Sequence, residues 1–456
     1  MSEVMSAEEI EASAPQRFEE SRDCALERAR TRVVAAGQWS ERQHLGRRWP
    51  VGCVALEITQ RCNLDCELCY LSESSQALKD IPLEEVYRRI AMIRAQYGEG
   101  TDVQITGGEP TLRPRAELLA IVRRAREAGL RPALFTNGIR ASRALLVDLA
   151  EAGLEDVAFH VDLTQQRRGY ASEAALDALR EEYIERTRGL PLAVFFNTSV
   201  CEANLDAVPA ICAFFLRHAD CVRMASFQLH ADTGRGALRG RGPRVSVAAV
   251  AARIQTGIGA RLDFDVMDIG HKRCNRYAMA LVANGRAHDL CDEPGFIVRM
   301  LARTASLRLD RVRPAAALGA LAGWAIRHPR ALPECLGWVA RKAWRLHKDL
   351  LRSRGKVHKL SFFIHDFMHA CELEQERVDA CSFMVATLDG PLSMCLHNAK
   401  RDAYLLAPIA VGRGERVRFW DPVSGRTADL ASSPNEVRLT RKTARGLALV
   451  RLGSGA

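Results

Sequence analysis

The sequence predicts an α/β protein whose core is a parallel β-sheet flanked by helices. Between residue 54 and about residue 230, short runs of β-branched and aromatic residues alternate with amphipathic helical stretches. The motifs that could carry chemistry follow the ends of these runs, as they do in parallel α/β folds. The composition, 48% apolar and 26% charged residues in 456, is that of a globular protein and excludes disorder, collagen and coiled coil as whole-chain descriptions.

The predicted strands are spaced through the first half of the chain. The six are Val54–Thr59, Asp102–Thr106, Arg131–Thr136, Asp156–Asp162, Leu192–Val200 and Val222–Leu229. Amphipathic helices such as Arg115–Ala128 and Ser142–Ala152 fall between them. Strands that are separated by whole helices pair in parallel, so the pattern predicts consecutive βαβ units.

Changes in composition divide the chain into six segments. We predict an N-terminal helical extension over 1–50, an α/β core over 51–235, a linker over 236–300, a basic helical segment over 301–360, a cysteine-containing hairpin segment over 361–400 and a small β-rich tail domain over 401–456. Thr233–Arg244, where the core ends, is rich in Gly and Arg and is predicted to be a loop.

The sequence lacks the features of a secreted or membrane-spanning protein. Met1–Ala14 is polar and acidic, without the basic and apolar regions of a signal peptide. The longest apolar run, Ala315–Ile326, is shorter than the roughly 18 residues that a spanning helix needs. We therefore predict a cytoplasmic protein whose 14 cysteines stay reduced and available for metal binding.

Three cysteines follow the first predicted strand in the pattern Cys-x3-Cys-x2-Cys. They are Cys62, Cys66 and Cys69. Three thiolates on one tight loop can hold three corners of a cubane iron–sulfur cluster and leave the fourth iron open to a substrate. The alternatives are a zinc knuckle, for which no nearby fourth ligand is present, and buried thiols that are close by coincidence.

Further motifs follow the next strands. The second strand ends in Gly107-Gly108-Glu109-Pro110, where glycines let the backbone approach a ligand and a carboxylate can bind an ammonium group. The third ends in Thr136-Asn137-Gly138, which alone indicates a turn. The fourth carries His160 and Asp162, whose alternative interpretation is a mutually satisfied pair at a barrel mouth.

Together, these motifs resemble the radical S-adenosylmethionine (radical SAM) superfamily in order, spacing and strand context. The resemblance implies a partial (β/α)6 TIM-like barrel with a [4Fe–4S] cluster on Cys62, Cys66 and Cys69. S-adenosylmethionine would chelate the open iron, with its amino group held by Gly107, Gly108 and Glu109. The remaining cofactor contacts that the resemblance suggests, some by strand-end position alone, are Pro110, Thr136, Asn137, His160, Asp162, Asn197 and Gln228.

The resemblance also implies the chemistry. The reduced cluster would pass one electron to the sulfonium, giving methionine and a 5′-deoxyadenosyl radical that abstracts hydrogen from an unactivated C–H bond. The protein would hold the target carbon close to the radical and exclude water and oxygen. The electron donor would be a flavodoxin or a ferredoxin.

A second set of cysteines lies on predicted hairpins. Cys381 and Cys395 frame a turn at Asp389-Gly390, and Cys274 and Cys291 frame Gly285 in a similar way. These hairpins resemble the auxiliary-cluster domains called SPASM and twitch, which implies one auxiliary iron–sulfur cluster. Cys381 and Cys395 are the best candidate ligands, with Cys371, Cys274 and Cys291 as further candidates. The alternative is buried free thiols, which we prefer for Cys24, Cys53, Cys201, Cys212, Cys221 and Cys335.

The stretch from Ile364 to Asn398 is also similar to the radical SAM branch that includes archaeal tetraether lipid synthases. The matching features include Phe367-Met368, Glu376-Arg377-Val378 and His397-Asn398, together with Thr233-Gly234-Arg235. Those synthases join lipid chains carbon to carbon. This chain has only Cys24 and Cys53 before the triad and therefore lacks the cysteine-rich N-terminal segment of that branch.

The basic charge of the chain is local. Residues 301–360 contain 14 Lys and Arg and 3 Asp and Glu, a net charge of +11, whereas the whole chain carries +10. An apolar stripe (Leu336, Val339, Ala343, Leu346, Leu350) and a basic face (Arg341, Arg345, Lys348, Arg352) share one helix, with Trp338 and Trp344 between them. Such a helix suits an anionic membrane surface, or it packs on the barrel with a solvated basic face. Nucleic-acid binding is a third alternative but is not expected, because no recognised fold for it is present.

We consider three functions. The first is a radical SAM enzyme that functionalises a C–H bond of a lipid or other hydrophobic substrate, with peripheral contact between residues 301–360 and the inner membrane surface. The second is a peptide-modifying radical SAM enzyme of the SPASM or twitch type. The third is a non-catalytic iron–sulfur electron carrier, which would have no use for the Gly-Gly-Glu-Pro motif.

Overall fold

The computed structural model describes residues 4–16, 24–235, 244–311, 313–412, 417–429, 438–443 and 446–451. Most of the predicted Thr233–Arg244 loop and parts of the predicted tail lie outside these ranges. The described residues contain an eleven-stranded sheet, a three-stranded sheet and a two-stranded sheet. None of the helices in these ranges combines the length and the apolarity that crossing a membrane requires.

Six parallel strands form the core of the large sheet, in sequence order. They are β1 (Cys53–Thr59), β2 (Asp102–Gly107), β3 (Arg131–Thr136), β4 (Asp156–His160), β5 (Ala193–Val200) and β6 (Val222–Leu229). Each pairs in parallel with the next. The predicted partial barrel is confirmed, with two of the six strand ranges reproduced unchanged and the others displaced by one or two residues.

This part of the chain contains the helices α1 (Ala7–Ala12), α2 (Ala25–Ala35), α3 (Leu83–Tyr97), α4 (Arg115–Glu127), α5 (Arg143–Glu151), α6 (Asp177–Thr187), α7 (Glu202–Leu205), α8 (Val208–Arg217) and α9 (Val247–Ile258). Six of them, α3 to α6, α8 and α9, cover the outer face of the strands. Their apolar stripes pack into one core with the strands: Ile90 and Ile93 of α3 and Ile121 and Val122 of α4 are at most 1% exposed. Burial of these faces is the main source of stability of the barrel.

The later part of the chain extends the sheet at both edges. Beside β6 lie β9 (His358–Asp366), β7 (Asn275–Ala283) and β8 (Arg286–Asp289), and beside β1 lie β10 (Phe383–Ala386) and β11 (Pro391–Ser393). The two extensions then meet, since Asn275 Nδ2 donates to Ser382 Oγ at 3.0 Å and the His365 and Phe383 rings are 4.8 Å apart. These side-chain contacts link β7 and β9 to the start of β10, so the two extensions of the curled sheet touch each other.

The predicted basic segment is largely helical and lies at the amino-terminal end of the barrel strands. It contains the last three residues of α10 (Pro294–Arg303), all of α11 (Pro314–Arg327) and α12 (Leu332–Arg352), and the start of β9. Arg311 fixes the loop between α10 and α11, because it donates to Asp102 and Asp156 at 2.7 Å each. These aspartates are the first residues of β2 and β4, so the segment borders the end of the barrel opposite to the predicted site.

The remaining elements join the chain termini to the hairpin segment. These are α13 (Gln375–Asp379), α14 (Met394–Ala399), α15 (Arg401–Leu405) and strands β12 (Ile409–Val411), β13 (Arg418–Trp420), β14 (Thr427–Ala428), β15 (Arg438–Thr443) and β16 (Gly446–Arg451). The N-terminal α1 packs here, because Lys400 Nζ donates to the carbonyls of Ile10 and Ser13 near its C-terminus. The described residues from 401 onward contain α15 and the five short strands β12 to β16.

Candidate active site

The predicted cysteine loop follows β1 at the carboxyl ends of the barrel strands. Cys62, Cys66 and Cys69 are partly buried free thiols. Tyr70, directly after the last of them, donates from its hydroxyl to the carbonyl of Gly107 at 2.6 Å. This bond ties the cysteine loop to the end of β2, where the second motif lies.

The two glycines of the second motif allow β2 to pack against the start of the cysteine loop. Gly107 has φ +122°, and a Cβ atom there would lie 1.9 Å from the carbonyl oxygen of Thr59. A Cβ atom on Gly108 would lie 2.2 Å from the carbonyl oxygen of Arg61. Side chains at these positions would push the two motifs apart, so the glycines fix the loop geometry as well as exposing backbone N–H groups.

The carboxylate of Glu109 connects β2 to β3. Its Oε1 accepts hydrogen bonds from the Thr111 amide and hydroxyl and from Thr136 Oγ1, and its Oε2 accepts from the Asn137 amide at 2.7 Å. The side chain is fully buried. Glu109 therefore positions Thr136 and Asn137, the predicted residues at the end of β3.

Asn137 in turn reaches the cysteine loop. Its Nδ2 donates to Asn63 Oδ1 at 2.7 Å and lies 4.0 Å from the sulfur of Cys62. Pro110 and Thr136 are also buried. The structure thus brings the first three predicted motifs into one bonded network.

His160 and Asp162 form a second network at the end of β4. His160 Nε2 lies 2.6 Å from Asp162 Oδ2, which also accepts from the Ser199 amide at 2.7 Å, while Thr164 donates to Oδ1. Burial alone would raise the pKa of Asp162, but His160 and these hydrogen bonds outweigh it and lower the pKa to about 2. Asp162 is therefore a buried anion that orients His160 and the end of β5.

The last two predicted cofactor residues lie on the neighbouring strands. Asn197 on β5 is buried and pairs in register with His160. Gln228 on β6 is partly buried and pairs in register with Ser199 on one side and His365 on the other. Both are at the carboxyl ends of their strands, on the same side of the barrel as the cysteine loop.

A cavity of about 430 Å³ opens beside the cysteine loop. Glu67 and Leu68, between the second and third cysteines, form part of its wall. The rest comes from the ends of β4, β5 and β6 and from the segment after β9, with Thr164, Cys201, Glu202, Asn204, His230, Asp232, Arg244 and His369 among the lining residues. The wall combines polar groups with a larger apolar surface, and the described residues of 301–360 do not contribute to it.

The residues present fit an iron–sulfur cluster at the loop. Burial raises the pKa of Cys66, and the neighbouring Cys69 and Cys62 raise it further, so the thiolates need a compensating positive charge. Arg235 supplies part of it, since its Nη2 donates to Cys69 Sγ at 3.0 Å. In the described residues no three His, Cys, Asp or Glu side chains are placed to hold a single metal ion.

Arg401 was not identified from the sequence. It comes from α15, stacks on the Tyr70 ring at 4.8 Å and donates to both oxygens of Glu57 on β1. Burial alone would raise the pKa of Glu57, but Arg401 and His397 lower it to about 2. This buried ion pair carries no local sequence pattern, because its partners are far apart in the chain.

The structure brings together three of the five candidate auxiliary ligands. Cys274, Cys381 and Cys395 interact electrostatically, and Arg377 Nε donates to Cys274 Sγ at 3.2 Å. Burial raises the pKa of Cys274 to about 11 and that of Cys395 more strongly. Both predicted hairpins are present, as β7–β8 and β10–β11.

The other two candidates lie elsewhere. Cys291 is fully buried in a separate cluster with Val266, Met267 and Phe296. Cys371 is exposed on the loop after β9. Of the six cysteines that we expected to be buried, Cys24 is exposed instead, and Cys201 lines the cavity.

Comparisons with known proteins identify the domain. The Radical SAM superfamily profile matches residues 56–189. A 7,8-dihydro-6-hydroxymethylpterin dimethyltransferase from Methanocaldococcus jannaschii is 29% identical over 186 residues, 40% of this chain and 36% of the relative. A PqqA peptide cyclase from Rhodopseudomonas palustris is 32% identical over 189 residues, 39% of this chain and 47% of the relative. The chain therefore spans less than half the length of these curated relatives.

The similarity to solved structures is weak. Streptococcus suis SuiB bound to the precursor peptide SuiA gives a TM-score of 0.35 at 16% identity, covering 53% of this chain and 52% of SuiB. The structure of anSMEcpe with bound AdoMet gives 0.31 at 16% identity, covering 38% and 50%. At these scores the likeness carries no argument about function.

Proposed function

Residues 56–189 are a radical SAM domain, and from that premise we propose that the protein is a radical SAM enzyme with a [4Fe–4S] cluster on Cys62, Cys66 and Cys69. When bound, the cluster supplies the electron that cleaves S-adenosylmethionine and yields a 5′-deoxyadenosyl radical. The expected electron donor is a flavodoxin or a ferredoxin. An electron carrier without catalysis is disfavoured, because the Gly107-Gly108-Glu109 network and the adjacent cavity would then have no role.

The residues around the loop would hold the cofactor. Glu109 Oε2 accepts one hydrogen bond from the described residues, so it keeps acceptor capacity for the cofactor's ammonium group. Gly107 and Gly108 bring the backbone close to the same place. Asp162 fixes the orientation of His160, which would meet the cofactor together with Asn197 and Gln228.

The substrate that the site supports best is a peptide or another polar molecule. The cavity beside Glu67 and Leu68 carries this proposal, because it combines an apolar surface with amide, imidazole, carboxylate and guanidinium groups, which suits the mixed polar and apolar groups of a peptide. The relatives named PqqA peptide cyclase favour the same class.

Deuterium transfer tests the substrate class. The reconstituted enzyme is incubated anaerobically with S-adenosylmethionine and with either the peptide fraction or the lipid fraction of a perdeuterated cell extract. We expect deuterium in 5′-deoxyadenosine only with the peptide fraction. Incorporation from the lipid fraction alone, or from neither fraction, would contradict the proposal.

A second candidate role is peripheral contact with an anionic membrane through α11 and α12. Seven of the twelve exposed large hydrophobic side chains in the described residues lie on these two helices: Leu318, Leu321, Ile326, Leu336, Val339, Trp344 and Leu351. The alternative, in which the apolar stripe packs on the barrel, does not hold for Leu336 and Val339, which are 63% and 54% exposed. The buried residues of the helix are Lys342, Leu346 and Asp349, of which only Leu346 belongs to the stripe. Lys342 donates to the Asp289 carbonyl, and Asp349 bonds to Asn284 and His288.

Charge favours a membrane as the occupant of this face. Trp344, 75% exposed, lies between the apolar stripe and the basic face of α12, where Lys348 and Arg352 are also exposed.

Flotation with phosphatidylglycerol vesicles tests this role. The unmodified protein should float with the vesicles, and the triple variant Leu336→Ser/Val339→Ser/Trp344→Ser should not. Val34→Ser, at an exposed site on α2, is the matched control. Failure of the unmodified protein to float would rule out this role.

We further propose that Cys274, Cys381 and Cys395 hold an auxiliary iron–sulfur cluster. The three thiols come from the start of β7, the start of β10 and α14, and Arg377 lies among them as a buried cation. Cys371 and Cys291 are left out of this proposal, because the described contacts place them apart from the other three.

A further inference from the structure

Arg235 is a buried cation in direct contact with the cysteine loop. Its Nη2 donates to Cys69 Sγ at 3.0 Å, and its Nη1 donates to Asp65 Oδ1 at 2.8 Å. The side chain is 9% exposed. One guanidinium therefore bridges a cysteine of the proposed cluster and a carboxylate of the same loop.

The backbone holds this arginine in place. The Arg235 amide donates to the Leu71 carbonyl at 2.8 Å, and a Cβ atom at Gly234 would lie 2.2 Å from the Tyr70 carbonyl oxygen. Gly234 also has φ +55°, which favours glycine. The segment after β6 is thus packed tightly against the end of the cysteine loop, and the position of Arg235 is determined before any ligand binds.

The Nε–H of the guanidinium is left for a further group. Its Nε is buried and has no hydrogen-bond acceptor among the described residues. A buried N–H group without a partner is costly. The arrangement therefore suits a site that contains more negative charge than the protein itself provides.

We propose that Arg235 sets the reduction potential of the cluster, as a positioning residue that acts through Cys69. Reduction adds one negative charge to the cluster, and an N–H···S bond from a buried cation stabilises that charge more than the oxidised state. Arg235 therefore raises the potential at which the cluster accepts an electron. This inference rests on the proposed function, since it requires a cluster on Cys62, Cys66 and Cys69.

A potentiometric titration tests the role of Arg235. It uses reconstituted protein whose auxiliary cysteines are intact, and electron paramagnetic resonance detects the reduced cluster. The Arg235→Gln variant should bind the same amount of iron at this site as the unmodified protein. The midpoint potential of its cluster should be more negative. Arg235→Lys keeps the charge but loses the forked geometry, so its midpoint should lie between the two. Arg188→Gln, which removes an exposed arginine paired with Asp220 and Glu185, should leave the midpoint unchanged.

An unchanged midpoint in Arg235→Gln with full iron content would overturn the inference. If Arg235→Gln does not retain iron, the midpoint potential of Arg235→Lys is the test. A value for Arg235→Lys equal to that of the unmodified protein would overturn the inference. The proposed function fails in a different way, namely if the unmodified protein binds no cluster at this loop.

Discussion

Arg401 Nη2 donates to both carboxylate oxygens of Glu57, at 2.5 Å each, across 344 positions of the chain. Glu57 lies on β1 just before the cysteine loop, and Arg401 stacks on Tyr70 just after it. The pair therefore attaches the C-terminal segment to the base of the proposed cluster site. Both side chains are almost fully buried, so neither is screened by solvent.

Removal of Arg401 should destabilise the protein at this attachment. Arg401→Met leaves the Glu57 anion buried without its partner, which costs about 3–5 kcal/mol in the free energy of unfolding. Urea unfolding followed by circular dichroism measures the loss. The double variant Glu57→Gln/Arg401→Met should recover much of it, because no unpaired charge remains, and a double variant as unstable as the single one would contradict this account.

Gly107 should be far less tolerant of alanine than a glycine of similar backbone angle elsewhere. Gly107→Ala places Cβ 1.9 Å from the Thr59 carbonyl oxygen, which must force the cysteine loop away from β2. We expect a loss of about 3 kcal/mol or more and reduced iron binding. Gly189→Ala is the control, since φ is +78° but no atom lies within 4 Å, and it should cost about 1 kcal/mol. Equal losses would contradict the role assigned to the contact.

Acidification should destabilise the fold through His365. Burial lowers the pKa of His365 to about 3, so the folded protein keeps it neutral while the unfolded chain takes up a proton below about pH 6.5. Stability is therefore lost as the pH falls below 6.5, by about 2 kcal/mol at pH 5 for this residue.

The urea concentration at the midpoint of unfolding, measured at pH 7 and at pH 5, reports this loss of stability. His365→Gln should reduce the difference between the two midpoints, whereas His347→Gln, at an exposed position, should not. Equal pH dependence in His365→Gln and the unmodified protein would show that the residue is not responsible.

Iron content should separate the auxiliary ligands from the other cysteines. The reconstituted protein is expected to bind about eight irons if both clusters are cubanes. Cys395→Ala should lower the content to about four, while Cys371→Ala, at an exposed site, should leave it unchanged. About four irons in the unmodified protein would leave Cys274, Cys381 and Cys395 as ordinary thiols.

The barrel could be predicted because its signals are local. Each of β1 to β6 is a short apolar run, and residues such as Glu109 and Asp162 follow directly in sequence. The edge strands and Arg401 could not be predicted, since they depend on pairing between distant segments. The helix α12 has the predicted period, but tertiary ion pairs, including the buried Lys342, decide which face packs.

The hairpin pattern was a partial guide to the cysteines. It predicted β7–β8 and β10–β11, but symmetry of spacing suggested that Cys291 would accompany Cys274. The two ends of the first hairpin instead face different cores, and Cys291 is buried with Val266 and Phe296. The spacing of the cysteines predicts the local turn, whereas the proximity of the thiols depends on how separate strands and helices pack.

The measurement that tests the central claim most directly is anaerobic production of 5′-deoxyadenosine by Cys66→Ala. Under chemical reduction with S-adenosylmethionine, the unmodified protein and the Cys24→Ala control, whose cysteine is exposed and far from the loop in sequence, should both release 5′-deoxyadenosine. Cys66→Ala should release none above background. Unchanged production by Cys66→Ala would contradict the assignment of a radical-generating cluster to Cys62, Cys66 and Cys69.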